Sequence, residues 1–179
     1  RYFFGEDFPR APYDKVGTIE FPVRTGEAYR KNFLKSTDTE MISKAKFRIA
    51  IDYAFGITSM IFPNILGTLG VEVVSLNGYL EPTKLTRAKE EFKRSTEQLK
   101  NIVTSLGYDV GIILDAGGER ISIVDENGAF YHNQNLLALV TKFFLECKKI
   151  DGKQIKKIAV PISASGEVEI IAKQYGVEV

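Results

Sequence analysis

The chain has 179 residues, of which 44% are hydrophobic and 26% are charged, as is ordinary for a soluble globular protein. Its 24 basic and 23 acidic residues leave a formal net charge of +1. This balance produces no strong field toward nucleic acid or a membrane, so we expect neither as a partner.

The single cysteine, Cys147, excludes an internal disulfide and fits a reducing compartment. The sequence has no run of 18 apolar residues and no apolar N-terminal segment flanked by positive charge. We therefore predict a cytoplasmic protein. The chain begins at Arg1 rather than methionine and ends on "YGVEV", which has the pattern of a new strand. From this we expect a piece of a longer protein.

Residues 1–45 show no sustained periodicity and contain three of the six prolines. We predict irregular chain with a short strand near 16–21, then a helix at about 26–34 and a polar link, "KSTDTEMISKAK". This segment has few residues that could form a core by itself.

From Lys46 onward the pattern alternates between strands and helices. In chain order we predict a strand in "FRIAIDYAFG" (47–56), a helix in "SMIFPNILGTLG" (59–70), a strand in "VEVVSLN" (71–77) and a helix at 85–106. A second group follows, with a helix in "NLLALVTKFFLEC" (135–147), a strand in "IKKIAVPIS" (155–163) and a helix in "GEVEIIAKQYG" (166–176).

Between these two groups lies "IILDAGGERISIVDENG" (112–128), in which two apolar runs flank Gly117-Gly118. Two short strands joined by a tight glycine turn are expected there. Overall the order predicts an α/β protein, with a three-layer α/β/α domain at 46–129. Its sheet should be mixed and four-stranded, with an antiparallel last strand at about 120–125. Residues 1–45 would then be the tail of a preceding domain, and 130–179 the start of a following one.

The glycine turn is also the first candidate site. Asp115 and Glu119 could supply oxygen ligands to a hard cation such as Mg²⁺, and Arg120 could bind a phosphate group. Asp115 would stand at the carboxyl end of a strand, where ligands of α/β sheets bind. The alternative is an ordinary hairpin whose charged side chains face water, and composition by itself favours that alternative.

Four other positions are weaker candidates. The Gly56 loop after Asp52 could hold an anion, but we favour a structural role. His132, the only histidine, lacks the partners of a metal site or a serine triad, so we predict a surface or helix-capping role. We predict Cys147 to be a buried structural thiol, and Ser165 in "SASG" to be a helix cap rather than part of an anion nest.

The order of these motifs resembles the phosphohexomutase superfamily, the phosphoglucomutases and phosphomannomutases. "FRIAIDYAFG" is similar to the opening strand of the family's second domain. "YDVGIILDAGGERISIVDENG" resembles its metal loop, and "NLLALV" with "SAS" and "IAKQYGV" resembles the start of its third domain. The segment "RYFFGEDFPRA…VGTIEFP" resembles a subgroup in which a mutase-like region follows a mannose-1-phosphate guanylyltransferase.

In the family, three aspartates two residues apart bind Mg²⁺, and the next arginine supports the phosphoserine. The corresponding positions here hold Asp115, Gly117, Glu119 and Arg120. The middle ligand is missing and the third is longer by one methylene, so the resemblance implies a degenerate metal site. Mg²⁺ demands near-ideal octahedral geometry, and we expect its binding to be weak or absent.

The resemblance further implies part of an isomerase of carbohydrate metabolism that interconverts hexose 1- and 6-phosphates, with glucose or mannose phosphate as substrate. The family's phosphoserine loop is not in this sequence, so we expect no catalytic residue here and no activity from the chain alone. The alternative is a non-catalytic mutase-like module that serves assembly or regulation of a linked sugar-1-phosphate nucleotidyltransferase. The sequence leaves a homo-oligomer open in either case.

Overall fold

A computed structural model of the chain describes residues 2–5, 9–150, 152 and 154–179. Its strands are β1 (Arg48–Asp52), β2 (Glu72–Leu76), β3 (Val110–Leu114), β4 (Ile121–Asp125) and β5 (Phe130–Tyr131). Its α-helices are α1 (Tyr2–Gly5), α2 (Thr25–Lys35), α3 (Thr39–Ala45), α4 (Phe62–Thr68), α5 (Lys89–Leu106), α6 (Asn133–Ile150) and α7 (Gly166–Gln174). Single 3₁₀ turns cover Tyr13–Lys15, Ile57–Met60 and Pro82–Lys84.

The five strands form one mixed sheet in the order β2-β1-β3-β4-β5. β1 lies parallel to both β2 and β3, and β4 runs antiparallel to β3, so the predicted hairpin is confirmed. The expected four-stranded sheet was one strand short, because the two-residue strand β5 pairs with β4. A strand of two residues has no periodicity that a sequence could display.

Helices flank this sheet as the α/β prediction required. Leu99 and Val103 of α5 pack on Ala50, Ile113 and Val124 of the sheet, and all five side chains are buried. Neighbouring side chains of a strand point to opposite faces, so Ile49 and Ile51 lie on the other face, where they are also buried. Burial on both sides of β1 explains why its sequence reads as a continuous apolar run.

The N-terminal expectations were met in part. The predicted helix at 26–34 is α2, but residues 16–21 form no strand. Ile19 and Phe21 in this segment are more than four-fifths exposed. The polar link contains a helix, α3, which Asp38 caps by accepting a hydrogen bond from the Met41 N–H at 2.9 Å. We had not predicted this cap because its helix is only seven residues long.

The C-terminal part also departs from prediction. The expected strand at 155–163 makes one parallel bridge, between Lys157 and Glu178. Cys147 is exposed, so its assignment as a buried thiol was wrong. α6, the helix that contains Cys147, instead buries Leu136, Ala138, Thr141 and Leu145. Ser165 does cap α7, where its Oγ accepts a hydrogen bond from the Glu167 N–H.

Within the described ranges, no helix combines the length and the apolar character that crossing a membrane requires.

Candidate functional site at the carboxyl edge of the sheet

The turn between β3 and β4 is organised by the side chain of Asp115. Its Oδ1 accepts hydrogen bonds from the backbone N–H groups of Glu119 (2.7 Å) and Arg120 (3.1 Å). The Asp115 N–H donates in turn to the Arg120 carbonyl, and Gly118 adopts the positive φ (+70°) that this turn requires. The Asp115 side chain therefore caps the backbone N–H groups of its own turn and closes a tight loop.

This arrangement does not suit a divalent cation. One oxygen of Asp115 already accepts two backbone hydrogen bonds, and position 117 offers no side chain. Glu119 is exposed to solvent. Across the residues that the structure describes, no three His, Cys, Asp or Glu side chains are grouped so that they could hold a metal ion. The donor set therefore falls short of what Mg²⁺ needs.

The neighbouring strand end holds a second aspartate in a different setting. Asp52 ends β1 and is completely buried. The guanidinium of Arg87 donates to both of its oxygens, from Nη2 at 2.7 Å and from Nη1 at 3.0 Å. Asn77 Nδ2 and the Ala54 N–H each donate to Oδ1 at 2.9 Å. Burying a carboxylate costs its hydration free energy, and full pairing and hydrogen bonding such as this offset that cost.

Asp52 is also the start of an unusual turn. Ala54 and Phe55 both have left-handed backbone angles (φ 53° and 57°), which residues with a Cβ seldom adopt. The Phe55 N–H donates to the Asn77 carbonyl, and the Phe55 ring lies under the Lys84 ammonium at 4.8 Å. These contacts with β2 and the chain after it hold the strained turn in place.

The turn after β1 packs directly against the turn after β3. The Ile57 N–H donates to the Ala116 carbonyl at 3.2 Å. A Cβ on Gly56 would lie 2.4 Å from that same oxygen, so only glycine allows the two backbones to come this close. The position of the Asp115 turn therefore depends on the conformation of residues 53–57. This supports the structural role that we predicted for the Gly56 loop.

Beside the two turns lies a cavity of about 340 Å³, whose wall includes Arg87, Asp115, Arg120, Ser122 and His132. Arg120 is exposed, and none of the described residues forms an ion pair with its guanidinium. Ser122 is 3% exposed, and its Oγ lies 2.6 Å from His132 Nδ1. The cavity thus combines an unpaired positive charge with a buried hydroxyl and an imidazole.

Phe92 gives the cavity an aromatic side, and Phe130 supports the His132 ring behind it. The His132 ring is stacked on Phe130 with centroids 5.7 Å apart, and it lies 5.6 Å from the Phe92 ring. In the turn after β1, burial raises the pKa of the Tyr53 hydroxyl, which favours its neutral form.

The structure brings together some of the sequence-based candidates and adds others. Asp115 and Arg120 both border the cavity, whereas Cys147 does not. His132 is half-buried in the cavity wall, so a plain surface role was incorrect, but it does lie directly before α6, where a helix-capping role stays a prediction. Arg87 was missed because it lies far from Asp52 in sequence and only the fold brings the two together. An arginine in the first turn of the predicted helix at 85–106, together with an aspartate in a predicted buried strand, was the available signal.

Comparisons with known proteins agree with this architecture. Residues 27–128 match the family model described as phosphoglucomutase/phosphomannomutase, alpha/beta/alpha domain II. The Thermococcus kodakarensis phosphoglucomutase/phosphomannomutase is 29% identical over 177 residues, which are 99% of this chain and 38% of that protein. A probable phosphoglucosamine mutase from Pyrococcus horikoshii is 30% identical over 174 residues, 97% of this chain and 36% of its own length.

Solved structures show the same fold. A putative phosphomannomutase from Thermus thermophilus superposes with a TM-score of 0.66 at 12% identity, over 86% of this chain and 35% of that one. The phosphoglucomutase pp63/parafusin from Paramecium gives a TM-score of 0.63 at 15% identity, over 85% of this chain and 28% of that one. This chain spans less than two fifths of the length of the curated relatives named above.

Proposed function

Because this chain belongs to the phosphoglucomutase/phosphomannomutase family and contains its second α/β/α domain, we propose that it forms part of a protein that binds hexose phosphates, with Arg120 as a phosphate contact. The observation that supports this most directly is the exposed guanidinium of Arg120 beside the cavity, without an ion pair in the described part of the chain. A free guanidinium can donate two parallel hydrogen bonds to phosphate oxygens.

We further propose that the turn at 115–120 no longer carries Mg²⁺. Asp115 and Glu119 would be the remaining ligands of a degenerate metal site in which Gly117 replaces the middle carboxylate. The hydrogen bonds that Asp115 accepts from the Glu119 and Arg120 N–H groups support this view, since they occupy one of its oxygens.

For the whole protein, the proposed reaction is the interconversion of hexose 1- and 6-phosphates. The names of the relatives support it, since they are sugar-phosphate mutases. We place no catalytic residue in this chain and expect the 179 residues alone to transfer no phosphoryl group. Domain boundaries near residues 45 and 130, a cytoplasmic location and a homo-oligomeric state stay predictions.

The second candidate is a non-catalytic module that assembles with or regulates a linked sugar-1-phosphate nucleotidyltransferase. Two observations favour it. The metal turn lacks its middle carboxylate at Gly117, and the N-terminal segment resembles the subgroup fused to a guanylyltransferase. Under this hypothesis the cavity would sense a sugar phosphate rather than convert it.

Calorimetric titration of the chain with glucose 1-phosphate and mannose 1-phosphate, beside unphosphorylated glucose, tests the phosphate role. We expect saturable binding of a sugar phosphate and none of glucose. Arg120→Gln should weaken binding by about tenfold or more, as expected for a charged hydrogen bond. Lys142→Gln, which removes an exposed charge from the middle of α6, should leave binding unchanged. Equal affinity in the Arg120 variant would refute the proposal.

A further inference from the structure

The cavity beside Arg120 has a second polar corner that the family resemblance did not predict, formed by Ser122 on β4 and His132 at the start of α6. Both side chains line the same cavity as Arg120. Ser122 is 3% exposed, so its hydroxyl is held inside the protein and needs a partner there.

That partner is the His132 imidazole, and the contact between them bears on which ring nitrogen carries the proton. Ser122 Oγ lies 2.6 Å from His132 Nδ1 and makes no other hydrogen bond to a described residue. With the Ser122 hydroxyl donating its proton to Nδ1, the ring proton resides on Nε2. Nε2 has no hydrogen-bond partner in the described ranges, and the ring is held by Phe130 and Phe92. His132 therefore offers an oriented N–H donor.

The charges around the cavity identify what this donor can bind. The positive charge of Arg87 is neutralised by the buried carboxylate of Asp52. Asp115 borders the cavity with one oxygen already hydrogen-bonded to backbone N–H groups. Arg120 forms no ion pair with any described residue, and α6 begins directly after His132, so the positive end of the helix dipole lies nearby. These are the features of an oxyanion site.

We propose that Arg120 and His132 together bind a phosphate or phosphomonoester group without a divalent cation. The guanidinium supplies the charge, His132 Nε2–H donates a directed hydrogen bond, and the Ser122 hydroxyl orients the ring. Arg120 supplies the positive charge that the degenerate turn can no longer obtain from a metal, and His132 adds a hydrogen-bond donor. This inference rests on the proposed phosphate role of Arg120 and adds His132 and metal independence.

The probe is inorganic phosphate, titrated into the 179-residue chain in the presence of EDTA and again with millimolar Mg²⁺. Binding is followed by calorimetry and by the NMR signals of the single imidazole. We expect saturable binding with the same affinity in both buffers and a phosphate-dependent shift of the His132 Nε2 and Hε1 resonances. Binding that appears only with Mg²⁺, or no binding of phosphate at all, would overturn the inference.

Two variants separate the ligands. Ser122→Ala, His132→Phe keeps the aromatic packing and removes the hydroxyl that would otherwise lose its partner. We expect it to weaken phosphate binding by about tenfold while circular dichroism confirms an intact fold. Lys142→Gln again serves as the control. If Arg120→Gln weakens binding and the double variant does not, this inference fails and the proposed function survives. If neither variant matters, both fail.

Discussion

Two aspartates end neighbouring strands at the same edge of the sheet, and the fold uses them differently. Asp52 after β1 is completely buried, and both of its oxygens are hydrogen-bonded, chiefly to Arg87. Asp115 after β3 is half-buried and uses one oxygen to close its own turn. The sequence drew attention to Asp115 because glycines and charges surround it, whereas Asp52 looked ordinary.

The comparison indicates that Asp52, which has fewer charged neighbours in sequence, contributes more to holding this edge of the sheet in place. Asp52 and Arg87 fix the left-handed turn at Ala54 and Phe55, and that turn determines where the Asp115 loop lies. Removing Asp52 should therefore disturb both sites, whereas removing Asp115 should disturb one.

The largest effect should come from breaking the buried ion pair. Arg87→Met leaves the Asp52 carboxylate buried and without its cation, which we expect to cost about 3–5 kcal/mol of unfolding free energy. Urea denaturation measures it. Lys44→Met, which removes an exposed ion pair with Glu40, is the control and should change stability by about 0.5 kcal/mol or less. If the Arg87 variant loses less than about 1 kcal/mol of unfolding free energy, the buried ion pair does not stabilise the carboxyl edge of the sheet.

A smaller effect should follow from forcing the two turns apart. Gly56→Ala places a Cβ 2.4 Å from the Ala116 carbonyl oxygen, and we expect a loss of about 1–3 kcal/mol. Gly67→Ala is the matched control, because Gly67 lies in α4 with no heavy atom within 4 Å of the added Cβ. It should stabilise the chain by about 0.5–1 kcal/mol. Thermal unfolding of both variants measures the difference. Equal shifts of Tm would contradict the claim that the close approach of the two turns requires glycine at position 56.

The Asp115 turn itself should tolerate change better. Asp115→Ala removes the acceptor of the Glu119 and Arg120 N–H groups, and these two residues are exposed so that water can replace it. We expect a cost of about 0.5–1.5 kcal/mol, and less for Asp115→Asn, which keeps an acceptor oxygen. A loss as large as that of Arg87→Met would remove the distinction between the two aspartates.

The smallest effect concerns Mg²⁺. Calorimetric titration of the unmodified chain should give no saturable binding near millimolar Mg²⁺, since two carboxylates stand where the family uses three. Gly117→Asp, Glu119→Asp restores the family pattern and is the matched comparison. Saturable Mg²⁺ binding by the unmodified chain would contradict this prediction and show that Asp115 can give up its hydrogen bonds to the Glu119 and Arg120 N–H groups. If the double variant also stays silent, the missing carboxylate is not the limiting factor.

The sequence predicted the elements with strong periodicity, and it failed where tertiary contacts decide. β1, α5 and the hairpin were predictable because apolar runs and glycines specify them locally. β5 and α3 are too short to show a period. At the site, Asp115 and Arg120 were found as neighbours in a turn. Arg87 was missed, and His132 was considered but not placed at this site, because a long-range ion pair and a cavity wall exist only once the chain has folded.

The central position of β1 has a consequence for how the chain folds. β1 pairs on one side with β2 and on the other with β3, and its partner Val110 lies far along the sequence. β3 and β4 are joined by the short Asp115 turn. Closing a short loop costs less entropy than closing a long one, so the hairpin should form first and β1 should insert late. Pulse-labelling hydrogen exchange would then show the amides of β3 and β4 protected before those of β1.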